Sequence, residues 1–278
     1  MRSGAWCLVF AAVATAALVH ADPVALQTTE LGQGPAIVFV HGLGCGRLDW
    51  LPTVKRLRDH YRTVLVDLPG CGQSPLPDPF TIESAAAALD GVLARHSGDS
   101  TIVVGQGVGG LVALYAVAAH PEHSAGLVLI DTAVKLPLTM SAQERDGLLK
   151  AVDENYGQFT QMLFGKMGRD STESARMYAT LAGLAPATVK GYLRELLVAD
   201  GNRNVRALRQ PPELVFTERL WSTGTTWGTV AKAVGYEDST FAKPRRIANT
   251  GALVMRDQPD TLAAIVADFA AQRIGAKK

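Results

Sequence analysis

Beyond Val19 the chain has no second apolar run of membrane-spanning length, no excess of either charge and, after His123, no histidine at all. The first lack excludes a transmembrane helix in the remainder, because crossing a bilayer takes roughly 20 consecutive apolar residues. The second argues against nucleic acid or an acidic membrane surface as partner. Twenty-seven lysines and arginines meet 26 aspartates and glutamates, for a net charge of +1, and they are scattered rather than in blocks. The third confines imidazole chemistry to positions 20, 41, 60, 96, 120 and 123. Cysteine is scarce, with three residues, and neither HExxH nor CxxC spacing occurs. The sequence therefore points to no metal site and to no cofactor.

What is present fits a globular protein. Of 278 residues, 47% are hydrophobic and 19% charged, enough for a sizeable core in one large or two small domains. The opening, MRSGAWCLVFAAVATAALVHADP, pairs Arg2 with an apolar run from Ala5 to Val19 and small-residue endings at Val19 and Ala21. That layout predicts a secretory signal peptide, residues 1–21, cut after Ala21. A membrane anchor is the alternative, and the run is short for it. Cleavage would give an exported, periplasmic or secreted protein and would remove Cys7. Cys45 and Cys71 would remain, either as a disulfide or as two buried thiols.

Along the rest of the chain, short aliphatic runs bounded by turn residues alternate with amphipathic stretches. AIVFV (36–40), TVLV (63–66), TIVVG (101–105), LVLI (127–130), ELVF (213–216) and RRIAN (245–249) read as strands buried on both faces. Helical spacing places Ile82, Ala85, Leu89 and Val92 on one face, and Leu262, Ile265, Val266 and Phe269 on another. A third helix spans 108–119 and stops at His120 and Pro121. Strand and helix in alternation predict an α/β fold with a mostly parallel sheet covered by helices. From about Lys135 to Leu208 the patterns are helical and no strand is evident. The expected organisation is therefore a core of residues 22–134 and 209–278 with a helical cap, 135–208, inserted between.

Five blocks then carry a resemblance: FVHGLGCGRLDW (39–50), VDLPGCGQSP (66–75), VVGQGVGG (103–110), LVLIDTA (127–133) and NTGALVMRDQPD (249–260). In order and spacing they resemble the signature blocks of the α/β-hydrolase fold family, in its serine-hydrolase branch with a helical cap. The resemblance implies a nucleophile on a strand–turn–helix elbow, a histidine as its base and an acid that orients the histidine.

Carried over position by position, that apparatus is incomplete. GQGVG puts Gly107 at the nucleophile, Gln106 before it and Val108 after it. NTGALVMRDQPD puts Ala252 at the base, and no later histidine can replace it. Counting through PPELVFTERLW puts Trp221 at the usual place of the acid, with Glu218 and Arg219 out of register. Asp131, after the preceding strand, is the remaining candidate acid, and a turn or cap role is its alternative. The resemblance further implies an oxyanion site formed by the backbone N–H groups of Leu43 and Val108, with His41 shaping its loop.

The expected function is accordingly a small-molecule binding module with impaired serine-hydrolase chemistry, its ligand held beneath the cap. Two alternatives stand beside it. One is an active hydrolase, lyase or cofactor-independent enzyme using His41, Asp131 or a thiol; the other is an esterase-like enzyme deliberately inactivated by replacement of its nucleophile and base. Ligand identity and oligomeric state are not legible.

Overall fold

The computed structural model describes residues 24–96, 101–236 and 244–275; the leader expected at 1–21 lies outside them. Seven strands, β1 (Thr28–Leu31), β2 (Ala36–Val40), β3 (Arg62–Val66), β4 (Ile102–Gln106), β5 (Gly126–Ile130), β6 (Glu213–Thr217) and β7 (Arg245–Ile247), form one sheet in the order β1-β3-β2-β4-β5-β6-β7. β1 pairs antiparallel with β3, and every other pairing is parallel. The fold is α/β, as the alternation predicts.

Around the sheet run α1 (Leu51–Val54), α2 (Ile82–His96), α3 (Val108–Ala119), α4 (Ala142–Glu154), α5 (Tyr156–Phe164), α6 (Ser171–Ala182), α7 (Pro186–Leu196), α8 (Asn202–Ala207), α9 (Trp227–Val234), α10 (Val254–Asp257) and α11 (Pro259–Gly275). The stretch expected to be helical, 135–208, contains α4 to α8; an isolated bridge pairs Lys135 with Asp200 within it, and the Tyr192 hydroxyl and the Thr188 hydroxyl donate to the Pro69 and Gly70 carbonyl oxygens of the core.

β2 and β4 are buried at every residue because helices cover both faces, and successive side chains point to opposite sides. Val38, Val40, Val64, Val66 and Val103 pack with Leu89 and Val92 of α2 and Leu111 and Val112 of α3. Ile37, Phe39, Leu65 and Ile102 pack on the other face with Leu262, Val266 and Phe269 of α11. Each such aliphatic side chain contributes about 1.5–3 kcal/mol through burial.

This architecture brings the carboxyl ends of β2, β4, β5, β6 and β7 to one edge. The loops after them carry Gly42 and Leu43, the Gly107 turn, Asp131, Arg219 and Ala252, respectively. In doubly wound sheets that edge is where ligands bind.

Candidate functional site

The turn between β4 and α3 is built by glycines whose absence of a side chain is sterically required. A Cβ at Gly105 would lie 2.5 Å from the Gly110 Cα, and one at Gly109 would lie 2.1 Å from the His41 carbonyl oxygen. Gly107 differs. It has φ 55° and ψ −125°, a conformation strained for any side chain, yet a Cβ there would meet nothing closer than the Gly42 Cα at 3.9 Å. The elbow therefore keeps its backbone shape and its room for a side chain, but carries no nucleophile.

Around Gly107 lies a cavity of about 190 Å³. Gly42, Leu43, Gln106, Val108, Asp131 and Ala252 border it from the sheet edge, and Phe159, Phe164, Met177, Val189 and Leu196 border it from α5, α6 and α7. Six positions singled out in the sequence, Leu43, Gln106, Gly107, Val108, Asp131 and Ala252, thus converge, and Cys45 joins them.

Neither the Leu43 N–H nor the Val108 N–H has an acceptor within the protein among the described residues. Val108 opens α3, where the helix dipole favours negative charge. These two groups can meet an oxyanion or a carbonyl oxygen.

The remaining side chains hold the site together. Gln106 donates its amide to the carbonyl oxygen of Ala252, while its Oε1 faces the Cys45 thiol at 3.9 Å. Its amide is thus committed to the fold, although the residue borders the cavity. Asp131, itself at positive φ, accepts from the Thr217 N–H at 2.8 Å and from the Thr217 hydroxyl at 2.5 Å. The Asp131 carboxylate ties the end of β5 to β6 and also borders the cavity. Burial raises its carboxyl above the ordinary carboxylate range, against the opposing pull of Arg219 at 3.8 Å and of the Thr217 bonds.

His41 belongs elsewhere. It is fully buried and absent from the cavity wall, its Nδ1 donating to the Gly42 carbonyl oxygen at 2.8 Å and its Nε2 accepting from the Leu68 N–H at 3.1 Å. Desolvation lowers its pKa, so the imidazole is neutral and braces two loops. His41 therefore stands behind the cavity wall, bonded to the loop that the resemblance has it shape, and not among the groups that face a ligand.

Cys45 and Cys71 are free thiols rather than a disulfide. Cys45 packs in the cluster with Phe39 and Trp50, and Cys71 in that with Leu68 and Tyr192, on opposite faces of the sheet. Burial raises both thiol pKa values, that of Cys71 to about 12, which disfavours a thiolate nucleophile at either position.

Trp221, at the place expected for the acid, bonds its indole N–H to the Thr225 carbonyl oxygen and packs against Trp227. Glu218 accepts from the Asn249 N–H and pairs with Arg246. Arg219, which lies out of register with the family pattern, is the residue the sequence did not select. Its side chain, 30% exposed, puts a guanidinium beside Asp131 on a largely apolar wall.

A profile of the α/β-hydrolase fold matches residues 35–175, just over half of the chain. The chain belongs to the α/β-hydrolase fold family. Among its sequence relatives is a pimeloyl-[acyl-carrier protein] methyl ester esterase of Pseudoalteromonas atlantica, 34% identical over 40% of this chain and 42% of that protein. Another, from Aeromonas hydrophila, is 29% identical over 70% of each. A thermophilic esterase from Thermogutta terrifontis has the same fold at a TM-score of 0.71, with 20% identity over 89% of this chain and 93% of that one. These likenesses favour the active-enzyme alternative over the binding-module reading.

Proposed function

We propose that this member of the family works on small, largely apolar acyl esters, its relatives being named for the hydrolysis of a methyl ester, and that its chemistry runs without a serine–histidine pair. What supports the substrate class is the cavity itself, with apolar walls, a size suited to a short acyl chain, and two unpaired N–H groups where a carbonyl oxygen would be polarised. Helices α4 to α8 would act as its cap. What supports turnover is the set of relatives named as esterases.

Asp131 is the group that would carry it. With His41 off the cavity wall and both thiols held protonated by burial, it is the one carboxylate bordering the cavity among the described residues. A carboxyl raised by desolvation is suited to take a proton from an attacking water. The second reading, binding without turnover, rests on the side chains lacking at Gly107 and Ala252.

Hydrolysis of p-nitrophenyl butyrate by the wild type and Asp131→Asn tests the proposal. Wild-type turnover that collapses in the variant supports it. Binding of methyl butyrate with no turnover returns the binding reading, and wild-type turnover retained in Asp131→Asn overturns the role given to Asp131.

A further inference from the structure

At the far end of α3 from the cavity, the fold assembles a cluster that local sequence spacing conceals. Asp90 lies on α2, which packs along α3, and His120 and His123 flank the Pro121–Glu122 step in the short 3-10 turn that follows α3. Each of the three offers a donor atom, and these atoms lie within 4.8 Å of one another. The Asp90 carboxylate faces one nitrogen of each ring, His123 Nδ1 at 2.7 Å and His120 Nε2 at 3.8 Å. Glu122 faces the opposite nitrogens, His120 Nδ1 at 3.3 Å and His123 Nε2 at 4.0 Å. The rings stack, with centroids 5.4 Å apart and planes at 15°.

We propose that Asp90, His120 and His123 bind a divalent transition-metal ion of the zinc class, with Glu122 orienting both imidazoles from behind.

Two imidazoles and a carboxylate are the donor set of Zn²⁺, Cu²⁺ or Ni²⁺ rather than of Ca²⁺ or Mg²⁺, which prefer oxygen alone. Ligand atoms of a tetrahedral zinc stand about 3.3 Å apart, and the two separations to Asp90 fall on either side of that value. His120 is half exposed, so its ring can close the remaining gap. Metal-bound histidines usually give their other ring N–H to a carboxylate, which is the place Glu122 occupies. A plain surface ion pair would need only Asp90 and one histidine. It would not require a second ring stacked on the first, or a second carboxylate behind both.

Three protein ligands leave a coordination position open. Asp90 and His120 also border a groove of about 530 Å³ between α2, α3 and α8, from which water or a small anion could fill it. The twelve residues of α3 put roughly 18 Å between this cluster and the Gly107 turn, so the ion is independent of the cavity's chemistry.

Calorimetric titration of the purified chain with Zn²⁺ in a non-chelating buffer tests the site, with the double variant His120→Ala/His123→Ala and the single variants Asp90→Asn and Glu122→Gln beside it. The expected result is one ion per chain, binding abolished in the double variant, and affinity weakened about ten-fold or more in each single variant. Paramagnetic resonance of the Cu²⁺-loaded wild type gives a readout that needs no variant to fold, and two coupled imidazole nitrogens are expected. Zn²⁺ binding unchanged in the double variant, no binding tighter than about 1 mM, or a copper spectrum without nitrogen coupling would each overturn the proposal.

Discussion

The side-chain amide of Gln106 donates to the carbonyl oxygen of Ala252, linking the residue before the elbow to the position where the family's base would stand. Both residues are buried. The loop after β7 is thereby held against the elbow although neither a nucleophile nor a base is present. Replacing Gln106 with Leu leaves that carbonyl buried without a donor, which costs about 1–3 kcal/mol. Urea unfolding should show a loss of that size, and a stability unchanged from wild type would show that the bond is dispensable.

Restoring the missing pair is sterically open at the first position. The 3.9 Å clearance admits a serine Cβ at residue 107, and the positive φ adds a strain of about 1 kcal/mol or more. The wild-type chain should take no label from a fluorophosphonate probe, and Gly107→Ser alone should take little because no base activates the hydroxyl. Gly107→Ser with Ala252→His should label if Asp131 can orient the new imidazole. Intact-mass measurement reads each case. Labelling of the wild type would show a nucleophile that the cavity wall does not reveal.

Most of this scaffold is written in periodicity. The runs at 36–40, 63–66, 101–105, 127–130 and 213–216 became β2 to β6 within a residue or two, because strands buried on both faces must be continuously apolar; the run at 245–249 became β7, an edge strand with Arg245 exposed rather than a strand buried on both faces. β1, with the sequence TTEL, left no such trace. It is a partly exposed edge strand, held by backbone pairing to β3. The converging site was legible where block spacing fixed it, at Gly107, Asp131 and Ala252. Arg219 was not, since a lone arginine two residues past a strand shows its direction only once the sheet edge is built. The Asp90 cluster was hidden likewise, because α2 and α3 supply its parts from separate segments.

Two buried groups give the stability of the fold opposite dependences on pH. His41 has a lowered pKa, so the native state favours its neutral form. Its contribution is complete above the unfolded value near 6.5 and is lost as pH falls below it. Asp131 has a raised pKa, so its contribution is complete below the unfolded value near 3.9 and declines as pH rises through the folded value. Thermal unfolding of His41→Asn should start from a lower melting temperature, yet fall less than wild type between about pH 7 and pH 5. For Asp131→Asn, which imitates the protonated acid, the difference from wild type should shrink as pH drops toward about 4. Parallel pH profiles for wild type and both variants would remove these two residues as the titrating groups.

Arg219 is the only cation on the cavity wall among the described residues, and Asp131 offsets it at 3.8 Å. A carboxylic acid released from an ester would bring a second negative charge to the same guanidinium, whereas the neutral ester brings none. Charge-assisted hydrogen bonds contribute about 1.5–3 kcal/mol, equivalent to roughly ten-fold or more in affinity. Arg219→Met keeps an unbranched apolar stem and removes the guanidinium, with its charge and its N–H donors. Butyrate binding, followed by ligand-observed NMR, should weaken by at least that factor in the variant, while methyl butyrate binding should hold within about two-fold. Equal losses for acid and ester would mean that Arg219 shapes the cavity rather than reads charge, and tighter butyrate binding in the variant would place the anion beside Asp131, at the Leu43 and Val108 N–H groups, without help from Arg219.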